Sequence, residues 1–214
     1  MIPSRLRRPL ALVVLPALAA IGLGAALYAS GEGGTSAACR ASAAAAARMT
    51  PLARGEVAAL RVHASPRPAP ALAFTGPDGA PSNLERLRGR TLLVNLWATW
   101  CAPCRVEMPA LDRLQAALGD RDFEVVAVNL DTRNLDRPRA WLAEAGIRHL
   151  AYYADPEASA LRALRARGGD IGLPTTLVVD PAGCELAVLT GPADWASADG
   201  QAVIRAALGG RSGG

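Results

Sequence analysis

Two cysteines three residues apart, Cys101 and Cys104, stand between an apolar run, Thr91 to Trp97, and a segment whose apolar residues recur at helical spacing. The pair therefore falls where a strand becomes a helix. The amides that open a helix lack intrahelical acceptors and carry the positive end of the helix dipole, which favours the thiolate of a cysteine placed before them. Cys101 is thus the expected nucleophile. Cys104, one turn further in, is close enough to form a disulfide with it and is shielded by the helix, which suits a resolving thiol. A zinc site is the competing chemistry, but it needs a second pair at similar spacing, and Cys39 and Cys184 are isolated and far apart. Thiol redox chemistry is the better reading, with no metal and no cofactor.

The elements that must hold this pair can be read from the apolar pattern. Ala71 to Thr75 and the stretch after Gly76-Pro77-Asp78-Gly79 read as a hairpin, and Ser82 can cap a short helix through Leu87. Thr91 to Trp97 is a buried strand. The helix that begins at the cysteines carries Met108, Leu111, Leu114 and Leu118 on one face and stops at Gly119. Phe123 to Leu130 lacks the alternation of a sheet wetted on one face, so it reads as a second buried strand. Pro138 to Ala145 and Pro156 to Arg167 read as helices on either side of a short strand at Leu150 to Tyr153. Thr176 to Asp180 and Cys184 to Thr190 form a second hairpin, and a helix from about Ala196 to Leu208 closes the chain. The layout is α/β, with a central mixed sheet flanked by helices.

The 214 residues allow one domain of roughly 150 residues plus an extension. Leu10 to Ala29 contains no charged residue, a run of about 20 that matches the hydrocarbon thickness of a bilayer. Arg5, Arg7 and Arg8 precede it, which orients the rest of the chain away from the cytoplasm. The run is longer than the apolar part of most signal peptides, and Leu27 occupies a position where cleavage wants a small residue, so an uncleaved anchor is favoured. A lipoprotein site at Cys39 is disfavoured by its distance from the run. The expected organisation is a cytoplasmic N-terminus (1–9), a transmembrane anchor (10–29), a linker (30–36), an alanine-rich helical extension (37–65), the compact domain (66–208) after the prolines at 66, 68 and 70, and a disordered tail (209–214). Three of the 23 basic residues precede the anchor and supply most of the net charge of +4, so no nucleic-acid partner is read from it.

The block Leu93-Val94-Asn95-Leu96-Trp97-Ala98-Thr99-Trp100-Cys101-Ala102-Pro103-Cys104-Arg105-Val106-Glu107-Met108-Pro109 and the loop Gly172-Leu173-Pro174-Thr175 resemble the thioredoxin superfamily, and more narrowly its membrane-anchored TlpA-type thiol:disulfide interchange proteins. The resemblance covers nearly everything outside the anchor. It implies a thioredoxin-like fold, a redox-active disulfide between Cys101 and Cys104, a structural disulfide between Cys39 and Cys184, and a cis peptide bond before Pro174 facing the cysteine pair. A cis proline removes a donor beside the thiolate and leaves the backbone of Leu173 free to pair with an incoming peptide. Trp100 would lie over the disulfide as an apolar platform, although core packing would also explain it. Where thioredoxin buries an aspartate, this chain has Asn95, which takes no proton. Glu107, one turn after Cys104, matches an acid of the TlpA-like branch; it either assists proton transfer from Cys104 or is a solvated helix residue.

The resemblance further implies a dithiol reductase at the bacterial inner membrane, its C-terminal domain in the periplasm, fed by a transmembrane electron donor. Its expected clients are protein disulfides, particularly of copper chaperones that serve respiratory oxidases. The direction rests on Ala102-Pro103, which holds no charge to stabilise the thiolate of Cys101, whereas strong oxidants stabilise their reduced form by such means. An apocytochrome c reductase is the nearest alternative, but that branch carries an acid soon after the cis proline, where this chain has Thr175 and Thr176. A Cu(I)-carrying module is the non-enzymatic alternative, since two thiolates suit Cu(I), and its difficulty is the third ligand: His63 precedes the expected domain and His149 lies before an edge-like strand.

Overall fold

The computed structural model describes residues 39–168 and 171–209. Its framework is an eight-stranded mixed sheet in the order β1-β8-β7-β4-β5-β6-β2-β3. The strands are β1 (Arg61–Pro68), β2 (Ala73–Thr75), β3 (Pro81–Asn83), β4 (Thr91–Trp97), β5 (Phe123–Asn129), β6 (Tyr153–Ala154), β7 (Thr175–Val179) and β8 (Cys184–Thr190). The helices lying wholly among the described residues are α1 (Ala43–Met49), α2 (Ala102–Leu118), α3 (Arg137–Glu144), α4 (Ser159–Ala166) and α5 (Ala198–Leu208). The central strand β4 runs parallel to β5 and antiparallel to β7. Every residue of β4 is buried, because both faces of the sheet are covered.

Strand alternation sorts the core into two layers. Leu93 and Trp97 of β4 join Val125 and Ala127 of β5 beneath Met108, Leu111 and Leu114 of α2 and Val203 and Ile204 of α5. Leu92, Val94 and Leu96 face the other way, toward Phe74 and toward Leu161 and Leu164 of α4. Asn95 has the parity of Leu93 and Trp97, so the pleat carries its amide to the α2 side.

Several elements differ from the sequence expectation for identifiable reasons. Residues 61–68, read partly as helical extension and partly as connection, form β1, an edge strand antiparallel to β8. Pro66 and Pro68 are tolerated there because an edge strand has one side without ladder bonds. Among the described residues of the alanine-rich stretch, 39–40 are helical and, after a turn, α1 follows, with single 3-10 turns at Thr50–Leu52 and Gly55–Val57. From Cys39 on, the stretch and β1 belong to the same compact unit as the rest of the domain. Asn83, not Ser82, caps the short 3-10 helix Leu84–Leu87, its side chain accepting from the Arg86 amide at 3.0 Å. Ser82 is occupied in β3, opposite Phe74. The strand expected at 150–153 shrinks to Tyr153–Ala154 because the Asp112 carboxylate captures the amides of Arg148, His149 and Leu150 at 3.0, 2.7 and 3.1 Å.

The segments expected as cytoplasmic N-terminus, anchor and linker, and the tail beyond Gly209, lie outside the described residues. Among the described residues no helix is long and apolar enough to cross a membrane.

Candidate active site

The turn after β4 delivers Cys101 to the first position before α2. Its sulfur accepts a hydrogen bond from the Cys104 amide at 3.3 Å, as a capping side chain does, and Pro103 in the first turn wastes no donor there. Cys101 and Cys104 are joined as a disulfide with Cα atoms 5.3 Å apart. Their environments are unequal: Cys101 retains 5% of its surface and Cys104 none. An incoming sulfur can therefore reach only Cys101.

The Leu173–Pro174 peptide bond is cis, and the Pro174 carbonyl is tied to β8 by the Gly191 amide at 2.9 Å. The backbone N–H and C=O of Leu173 hydrogen-bond to no other described residue, so both remain available to an extended peptide. Trp100, beside Cys101, is 68% exposed, which leaves core packing without a part in its position.

Glu107 is 2% exposed. Its Oε1 accepts from the Trp195 indole at 2.8 Å and from the Ala193 amide at 3.2 Å, and its Oε2 from Asn95 Nδ2 at 3.0 Å. Burial pushes its pKa up to about 7, against the opposing pull of the hydrogen bonds from Trp195, Asn95 and Ala193. The Asn95 amide also donates to Thr176 Oγ1, at 2.9 Å, from the residue paired with it on β7, and Asn95 Oδ1 has no partner among the described residues. Sequence reasoning left Glu107 between two environments and gave Trp195 and Thr176 no role. The signal for burial was the spacing: Glu107 lies three residues from Cys104 and four from Leu111, on the helix face that packs against the sheet.

A second polar cluster was not anticipated. The Asp131 carboxylate accepts from the Thr99 hydroxyl (2.7 Å), the Thr99 amide (2.9 Å) and Asn129 Nδ2 (2.7 Å), all buried. It binds the turn that carries Trp100 to the loop after β5. On the opposite side of the domain Cys39 and Cys184 are bridged, with Cα atoms 5.6 Å apart, and Ser42 hydrogen-bonds Asp180 beside them. These links tie the start of the described chain to the β7–β8 turn. The two histidines are held elsewhere than at the cysteine pair: His63 Nε2 lies 2.7 Å from Glu185 and His149 Nδ1 3.0 Å from Asp112. Among the described residues no three metal-ligating side chains converge.

A redox-ready cysteine pair capping a helix, set against a cis-proline loop on a mixed sheet, defines a thioredoxin-like oxidoreductase domain. The chain belongs to the Redoxin family, whose pattern matches residues 64–204. Over 126 residues it is 36% identical to the thiol:disulfide interchange protein HelX of Rhodobacter capsulatus, covering 58% of this chain and 66% of HelX. It is 41% identical over 58 residues to the thiol-disulfide oxidoreductase ResA of Oceanobacillus iheyensis, covering 27% of this chain and 30% of ResA. Among solved structures, a thiol:disulfide interchange protein of the thioredoxin family from Chlorobium tepidum is similar, with a TM-score of 0.54 and 32% identity over 68% of this chain and 99% of that one. The matches thus span two thirds or less of these two curated relatives.

Proposed function

We propose that the protein is a TlpA-type dithiol reductase of client protein disulfides, anchored in the bacterial inner membrane through residues 10–29 with its domain in the periplasm. The observation that carries this reading is the asymmetric pair, Cys101 reachable and accepting a helix amide, Cys104 enclosed, with a buried acid of raised pKa one turn beyond. The Cys101 thiolate attacks one sulfur of a client disulfide; that bond breaks, a mixed disulfide forms, and the client's other sulfur leaves as a thiolate. Cys104 then gives its proton to the Glu107 carboxylate and attacks Cys101 Sγ. The Cys101–Cys104 disulfide forms and the client departs with both thiols reduced, two electrons having passed to it. Trp100, Leu173 and Pro174 hold the client chain across the pair, and the Cys39–Cys184 bridge is structural. A membrane dithiol donor returns two electrons to the oxidised pair.

The uncharged Ala102-Pro103 linker gives the dithiol form no added stabilisation. Equilibration of the protein with glutathione buffers should therefore return a potential nearer to that of thioredoxin, about −270 mV, than to that of DsbA, about −120 mV. A value at the oxidant's end would make the protein a disulfide donor and reverse the proposed direction. The clients we expect are proteins that deliver copper to respiratory oxidases. Mixed disulfides trapped in membranes by a Cys104→Ser variant identify them, and captured proteins without oxidase or copper functions would refute that part.

A further inference from the structure

Against Trp100, the residue before Cys101, lies a cavity of about 370 Å³, walled on one side by Thr99 and Trp100 and on the other by Asp131, Thr132, Arg133, Asn134 and Arg137. Two arginines share its wall. Arg133 and Arg137 both line it, and neither side chain makes an ion pair or hydrogen bond to another described residue. Arg67 and Arg167 are engaged on Glu185, Arg90 on Glu124 and Arg139 over the ring of Tyr152, whereas Arg61, Arg105 and Arg148 are, like Arg133 and Arg137, without an ion pair among the described residues; what sets Arg133 and Arg137 apart is that both line one recess with Trp100. The cavity's acid, Asp131, forms no ion pair with either guanidinium group; its carboxylate accepts instead from Thr99 and Asn129, which leaves one negative charge against the two positive ones. The nearby Asp136 lies within ion-pair distance of neither arginine, and its side chain caps no helix amide. The exposed Trp100 supplies an apolar wall.

We propose that this cavity receives an acidic side chain of the client polypeptide, close in sequence to the cysteine that Cys101 attacks. The inference deepens the reductase reading and rests on it. A client joined to Cys101 must cross Trp100, the neighbouring residue, and at about 3.3 Å per extended residue the cavity is within reach of side chains a few positions from the client cysteine. A carboxylate there meets two unpaired guanidinium groups, whose planar forks match its geometry, while the stem of the same side chain packs on the indole. The Asp131 bonds hold the Trp100 turn and the arginine-bearing loop in one arrangement, so the recess is formed before the client arrives. Specificity follows from charge: a basic segment at this position is repelled and a neutral one gains nothing.

The test uses the full-length reduced protein and three synthetic peptides, each with one internal disulfide, identical except for a Glu-Glu, Gln-Gln or Lys-Lys pair two residues from a cysteine. Rates of disulfide reduction are followed at low and high ionic strength. The Glu peptide should be reduced about tenfold faster than the Gln peptide at low salt, with Lys slowest, and added salt should compress the differences. In an Arg133→Gln, Arg137→Gln double variant the Glu-to-Gln rate ratio should fall to about one, and Arg133→Lys with Arg137→Lys should restore part of it. Equal rates for Glu and Gln peptides in the wild type, or a preference that survives the double variant, overturns the proposal while leaving the reductase reading intact. Failure to reduce any peptide, and hydroxyethyl disulfide as well, overturns both.

Discussion

Replacing Glu107 by Gln removes a carboxyl group that is buried and has a folded-state pKa of about 7 against an ordinary value of 4.5. The folded chain therefore holds a proton that the unfolded chain has released, throughout the window between those two values. Stability must fall as pH rises through this window, since the unfolded state there binds fewer protons. The 2.5-unit difference corresponds to about 3 kcal/mol, lost between pH 4.5 and pH 7. Gln keeps Oε1 as the acceptor for Trp195 and Ala193 and, once the Asn95 amide turns over, donates from Nε2 to Asn95 Oδ1 without a charge, so the variant should lack this slope and be more stable than the wild type at pH 8. Urea unfolding of the oxidised protein at pH 5 and pH 8 measures both quantities. The kinetic consequence separates a proton carrier from a structural acid: resolution of a mixed disulfide by Cys104 should show a step near pH 7 in the wild type. In Glu107→Gln the step should be absent and resolution slower by at least tenfold. A Glu107→Gln protein with the wild-type pH dependence of stability would refute the burial argument. One with an unchanged resolution profile would refute the proton-transfer role alone.

Alkylation of the reduced protein by iodoacetamide should modify Cys101 well before Cys104 near neutral pH, since Cys101 is the reachable sulfur and is capped by a helix amide; mass spectrometry of the labelled peptides decides it. The Cys39–Cys184 bridge spans a sequence separation of 145, for which the chain-entropy model assigns on the order of 5 kcal/mol as an upper figure. A Cys39→Ser, Cys184→Ser protein should be less stable by up to that amount yet keep its turnover at temperatures where it is folded. Loss of turnover without unfolding would give the bridge a part in the chemistry. Asp131→Leu should cost about 3 kcal/mol in chemical denaturation, because it orphans the buried Thr99 amide and hydroxyl and the Asn129 amide together. A loss below about 1 kcal/mol would mean that water replaces the carboxylate.

What could be read from the sequence was whatever local pattern dictates. The apolar run of β4, its sudden end at Ala98 and the periodic Met108, Leu111 and Leu114 place the cysteine pair at a strand–helix junction without knowledge of the rest. Alternation along β4 likewise puts Asn95 on the α2 side. What local pattern cannot supply is the identity of partners separated by many residues. The Trp195 indole reaches Glu107 across a separation of 88, and Thr99 and Asp131 meet only because β4 and β5 end side by side. Residues 61–68 failed for another reason: a proline-rich segment reads as a connection, and only the unfilled edge of β8 makes it a strand.

Two buried glutamates in one domain show why neighbours, rather than burial, decide the chemistry. Glu185 is 1% exposed and Glu107 is 2% exposed, and for both the desolvation of the carboxylate is the largest influence, pushing the pKa up. Around Glu185 stand His63 at 2.7 Å and Arg67 at 3.1 Å as hydrogen-bonding partners, with Arg167 at 3.5 Å, and together they outweigh burial and leave its pKa below the ordinary value. Glu185 is thereby held as a charge and joins β1 and α4 to β8. Around Glu107 the donors are an indole, an amide and a backbone N–H, all neutral, and they reduce the effect of burial without cancelling it. Glu107 can thus gain and lose a proton near pH 7, the property a partner of a cysteine thiol needs. Asn95 completes the argument. With Glu107 ionised its Nδ2 donates to both Glu107 and Thr176 while Oδ1 goes unpartnered. Turned over, the same amide offers Oδ1 to a protonated Glu107 and to the Thr176 hydroxyl. An aspartate in its place would add a second buried acid and push Glu107 further up, away from the pH at which it can exchange a proton.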